Sequence, residues 1–112
     1  MEKQVTTTER TEGDKFIREC SLPARGDFIR GHTHKYDHLT KVISGTAKII
    51  STNTKNEVEE HVIEAPGEMM VKAGVLHSLE ALTGGVVIHC VFQHRDKHGN
   101  VTDEPNAREA YI

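Results

Sequence analysis

From about residue 15 the apolar residues of this chain come in short runs rich in valine, isoleucine and threonine, and glycine, proline or asparagine interrupts them about every ten residues. Runs that short leave no room for an ordinary helix, and their β-branched residues fit a pleated backbone better than a helical one. The segments "KFIREC", "DFIRG", "HLTKVIS", "TAKIIST", "EVEEHVIEA", "EMMVK", "LHSLEAL" and "VVIHCVFQ" are therefore read as strands. "SG" at Ser44 and Gly45, "NTKN" at Asn53 to Asn56, "APG" at Ala65 to Gly67 and "TGG" at Thr83 to Gly85 supply the small or conformationally permissive residues of tight hairpins. The one helix the pattern allows is a single turn after Pro105, around "NAREA". Seven or eight strands in a chain of 112 residues predict an all-β sandwich or barrel, and a double-sheet jelly roll is one of the few such folds that protects its edges.

That length suits one domain with a real core and no independent second one. Residues 1–14 are polar and read as a flexible arm or a segment that orders on a partner. Residues 15–112 read as the single barrel domain, with a polar tail from about His94. The N-terminus carries no apolar stretch of the secretory kind, and no run is long enough to cross a membrane, so a cytoplasmic protein with no membrane partner is expected. In that compartment Cys20 and Cys90 would be thiols, and neither sits in a C-x-x-C pair. With 14 Lys and Arg against 17 Asp and Glu, interspersed, no basic stripe awaits a phosphate backbone, and nucleic acid is not an expected partner.

Three of the eight histidines, His32, His34 and His38, fall within seven residues, in "GDFIRGHTHKYDHLTKVISG". On a helix, residues two apart are rotated by roughly 200°, so only His34 and His38 would share a face. On a strand, residues two apart lie on one face, and a bend through Lys35, Tyr36 and Asp37 can turn His38 to the same side. Imidazole nitrogens converging at roughly 2.0–2.2 Å from one centre make a divalent transition-metal site. The competing reading is three surface histidines in a polar loop.

The same stretch resembles the first motif of the cupins, small β-barrel proteins whose pattern is glycine, five residues, His-x-His, three or four residues, glutamate, six residues, glycine. Gly26, His32, His34, His38 and Gly45 keep every interval, with His38 standing where glutamate is usual. "KAGVLHSLEA" resembles part of the second motif through Gly74 and His77. It departs from that motif at Lys72, where proline is usual, at Ala81, where asparagine is usual, and at Gly67, one residue closer than expected.

The resemblance covers about residues 20–93. It implies a double-stranded β-helix barrel, a homodimer that covers the outward residues Leu39 and Ile43, and His32, His34, His38 and His77 as the four ligands of one metal ion per chain, with one or two coordination positions open. Iron, copper, nickel, zinc or manganese would suit such a set. Four neutral imidazoles leave the full +2 charge in a low-dielectric barrel, which favours an anionic small-molecule substrate. The implied functions are a metal-dependent dioxygenase or oxidase acting on an enolisable or carboxylate molecule, a Lewis-acid isomerase, lyase or hydrolase, and a non-catalytic module binding a metal or small ligand.

Three further residues are catalytic candidates. Tyr36 and Arg30 lie near the mouth by sequence, as an acid and an anion clamp. His89 depends on the turn at Thr83 to Gly85. If that turn closes a hairpin with a three-residue loop, His77 sits opposite Val91 and His89 faces the cavity; with a two-residue loop, Cys90 does. His61, His94 and His98 lie among charged residues and read as surface histidines.

Overall fold

The computed structural model describes residues 4–13, 15–93 and 100, and for His32 the backbone alone. Nine strands follow one another: β1 (Thr6–Glu12), β2 (Lys15–Leu22), β3 (Phe28–His32), β4 (His38–Ser44), β5 (Thr46–Thr52), β6 (Val58–Glu64), β7 (Gly67–Val71), β8 (Leu76–Ala81) and β9 (Val86–Gln93). They form two antiparallel sheets, one ordered β1-β2-β9-β4-β7 and the other β3-β8-β5-β6. The all-β jelly roll expected from the sequence is the fold observed. The single turn around "NAREA" and the polar tail fall outside the described residues.

The core lies between the sheets and follows strand parity. On β9, Val86, Ile88, Cys90 and Phe92 are buried and the residues between them are not; on β2 the inward set is Phe16, Arg18, Cys20 and Leu22. From the second sheet Ala47, Ile49, Leu79 and Ala81 meet them. Fully burying a side chain of this size stabilises the fold by about 1.5–3 kcal/mol, so Leu22, Ile49 and Ile88, each 0% exposed, anchor the sandwich.

Two expectations are corrected. Thr6–Glu12, read as part of an arm, is a strand paired along its whole length with β2. Its alternation is invisible to a hydrophobicity reading because all seven residues are exposed and mostly polar. Of the four turns read as hairpins, only Asn53 to Asn56 closes one, between β5 and β6. There Asn53 Oδ1 accepts bonds from the Lys55 and Glu57 backbone N–H groups at 2.9 and 3.0 Å. Ser44–Gly45, Ala65–Gly67 and Thr83–Gly85 instead carry the chain from one sheet to the other. Turn chemistry marks where a strand ends; it does not say which sheet the next strand joins. At the first of these corners Gly45 has φ +75°, and a Cβ there would lie 2.8 Å from both Thr83 Oγ1 and Val86 Cγ2. Thr83 Oγ1 accepts a bond from the Thr46 N–H at 3.0 Å, and Ser44 Oγ donates to the Gly85 carbonyl at 2.7 Å, so two corners lock each other.

Candidate metal centre

His34, His38 and His77 converge. One nitrogen from each lies within 4.8 Å of the others, and the ring centroids are 4.9–5.5 Å apart. His77 comes from β8 in one sheet, His38 opens β4 in the other, and His34 sits in the segment between β3 and β4. The bend through Lys35 to Asp37 expected from the sequence is thus the crossing between sheets. His38 and His77 are buried, 2% and 4% exposed. Phe92 lies under the group, stacked on His38 at 4.6 Å and edge-on to His34 at 5.0 Å.

Two devices place these rings. The first is a bulge in β3. Ile29 pairs with Leu79 and His32 with His77, so three steps along β3 match two along β8. Gly31 sits in that irregularity, where a Cβ would fall on the backbone carbonyl oxygen of His77 and within 2.6 Å of Ser78 Oγ. The second is a clasp between the segment carrying His34 and the turn before His77. Gly74 N–H donates to the His34 carbonyl at 3.0 Å, and Ala73 N–H donates to Asp37 Oδ1 at 2.8 Å. Lys72 Nζ pairs with Asp37 Oδ2 at 3.4 Å. The Ala73 bond, then Lys72, holds the Asp37 carboxyl below its ordinary value. Asp37→Ala is expected to weaken metal binding by roughly tenfold, the low end of what losing a supporting residue costs. Titration of the metal-free variant against wild type reads that change.

The donor set suits a metal ion. Three nitrogens bound to one ion at roughly 2.1 Å stand about 3.4–3.6 Å apart, within the 4.8 Å span that encloses these three. Among the described residues no carboxylate belongs to the group. His32, expected as the fourth ligand, has its backbone paired to His77, and its side chain lies outside the described residues.

His34 and His77 open onto a cavity of about 250 Å³, lined also by Thr7, Glu9, Arg18, Cys20, Ile29, Arg30, Leu79 and Cys90, while His38 lies behind them. Arg30 is on this wall, as expected for a residue near the mouth. Tyr36 is half-buried and packs against the core rather than lining the cavity. His89 is a correction. β8 and β9 belong to different sheets, so neither loop length applies, and the parity of β9 sends Cys90 inward and His89 to the opposite face. There His89 Nε2 meets Glu19 Oε1 at 2.8 Å, and this bond, with that from Arg10, keeps the Glu19 carboxyl below its ordinary value.

Cys20 and Cys90 are free and buried. Their thiols bond to each other, and that bond together with burial pushes Cys90 well above the ordinary thiol range while Cys20 is lowered. Sequence reasoning missed Arg18, which presents its charge to the cavity. Its signal is parity: arginine occupies an inward position in the run Phe16, Arg18, Cys20, Leu22.

Among solved structures, a variant of the oxalate decarboxylase of Bacillus subtilis superposes with a TM-score of 0.74 at 19% identity, covering 100% of this chain and 29% of that one. The oxalate decarboxylase of Lactobacillus farciminis, a formate complex, gives 0.71 at 24%, covering 83% and 29%. A cupin superfamily protein from Desulfitobacterium hafniense gives 0.68 at 19%, covering 83% and 80%. The fold is that of the cupins. At these identities the likeness is one of architecture, and the chain spans less than a third of the length of the oxalate decarboxylases it matches. No family model and no curated protein matches the sequence. Of the four histidines that the resemblance implied, His34, His38 and His77 come together among the described residues, and no helix among those residues is long and apolar enough to cross a membrane.

Proposed function

We propose that this chain is a metal-dependent cupin enzyme that acts on a small carboxylate or enolisable anion, as a dioxygenase or oxidase. One observation carries the reading: three imidazoles converge with no carboxylate among them, and two of them, His34 and His77, face a small cavity that also holds Arg18 and Arg30. His34, His38 and His77 would hold one divalent transition metal, and His32 is the fourth candidate by its position opposite His77. Such an ion supplies Lewis acidity and, if iron, copper or manganese, one-electron chemistry. The protein's part is to present neutral donors, so that the ion keeps its full charge in a dry site, and to keep that site small. Arg30 would orient an anion at the mouth.

A second reading is a Lewis-acid lyase. The likeness to oxalate decarboxylases favours it, since their name describes the cleavage of a small carboxylate. Metal content of protein purified without chelator comes first. Oxygen consumption and carbon dioxide release are then followed with iron-, copper-, manganese- and zinc-loaded protein over a panel of small carboxylates. Oxygen-dependent turnover supports the first reading and oxygen-independent carbon dioxide release the second. Less than one-tenth of an ion per chain after reconstitution overturns both. The proposal extends to a homodimer through the outer face of the first sheet, where Ile43 and Met70 are 47% and 48% exposed beside Leu39.

A further inference from the structure

Thr7 and Glu9 of β1 stand directly across from Cys20 and Arg18 of β2, and all four line the cavity. The terminal strand is therefore one of its walls. Arg18 Nη2 pairs with Glu9 Oε1 at 3.3 Å, with the side chains 20% and 34% exposed. The guanidinium also lies over the Phe92 ring, 5.8 Å from its centroid. Phe92 is the ring on which His38 stacks, so one aromatic side chain fixes the cation relative to the histidines. The chain as a whole carries a net charge of −3. The cavity reverses that sign, with Arg18 and Arg30 against the single carboxylate of Glu9 among its lining residues.

We propose that Arg18 is a specificity-determining residue that binds one carboxylate of a small dicarboxylate whose other end lies at the histidines, and that Glu9 is its resident competitor. This rests on the functional reading above and names the substrate class for that site. A guanidinium held by a protein carboxylate stays extended and aimed, and its planar fork suits bidentate capture of a second carboxylate. Glu9 is the more exposed partner and belongs to an edge strand, so an incoming anion competes with it from the solvent side. The cavity's volume of about 250 Å³, just below the roughly 300–1,000 Å³ of ordinary ligand sites, has room for about eight water-sized groups and so suits a small occupant.

The test is isothermal titration of full-length protein with malonate, zinc-loaded and metal-free, with malonamide as the uncharged control. Arg18→Gln is expected to raise the malonate Kd at least tenfold while zinc stoichiometry holds. Glu9→Gln is expected to lower it severalfold, and the double variant to bind no better than Arg18→Gln alone. These opposite signs are what a merely structural ion pair would not give, since breaking such a pair from either side would weaken binding alike. If Arg18→Gln fails to fold, Glu9→Gln still decides. Malonate affinity within twofold of wild type in Arg18→Gln overturns the proposal, as does weakened or unchanged binding in Glu9→Gln, or malonate and malonamide binding equally. A wild-type protein that takes up no zinc removes the metal reading instead, and the metal-free titration still judges Arg18.

Discussion

Alanine in place of His38 or His77 is expected to abolish stoichiometric metal binding, with an affinity loss greater than the roughly 10–100-fold that removing a supporting residue costs. Both rings are buried and both belong to the group of three. Removing either takes a donor directly from the ion, leaving two of the three imidazoles that the described residues bring together. His34→Ala is expected to do the same. His61→Ala serves as the control, because that ring contacts Glu59 at 3.2 Å and belongs to no such group among the described residues. Elemental analysis and competitive titration with a chromogenic chelator measure the change. Full metal retention in His77→Ala would remove the site described here.

Gly31→Ala is expected to be the most damaging glycine-to-alanine change among the described residues. Overpacking commonly costs about 1–3 kcal/mol when side chains can give way. Here the obstruction is the backbone carbonyl of His77, which cannot move without moving β8. We expect a loss at or above the upper end of that range, together with weakened metal binding, because the strand that must shift carries a ligand. Ser78→Ala added to Gly31→Ala would relieve only the contact at 2.6 Å. The double variant should stay nearly as unstable as the single one. A thermal melt of metal-free protein separates the packing defect from the ligand defect, and full rescue by Ser78→Ala would show the carbonyl contact to be unimportant.

The strands from Lys15 to Gln93 were legible because β-branched runs and turn residues mark their limits locally, and the candidate strands correspond to β2 through β9. β1 was not legible: Thr6–Glu12 buries nothing, and its pairing with β2 is a property of the backbone. Sheet membership was hidden for a different reason. The turn at Thr83 to Gly85 has the composition of a hairpin, yet β8 and β9 part there into separate sheets, and that choice depends on partners distant in sequence. The error passed directly into the reading of His89, whose facing was inferred from a pairing that does not exist.

The site shows the same division. His34 and His38 declared themselves by their spacing and His77 by resemblance, although His34 proves to lie in the segment between β3 and β4 rather than on a strand. Arg18 and Glu9 did not, because a single charged residue on a strand looks the same whether it points inward or outward until the neighbouring strand is known. The clasp at Asp37 was equally silent, since its partners Lys72 and Ala73 lie more than thirty residues away.

One consequence follows from the two sheets each contributing a ring. His38 and His77 reach the group from opposite sheets, held apart by the apolar layer to which the fully buried Leu22, Ile49 and Ile88 belong. The core acts as a shim. A methylene added or removed there would change how closely the nitrogens can approach one another, so under the proposed function the apolar interior would bear on which ion fits.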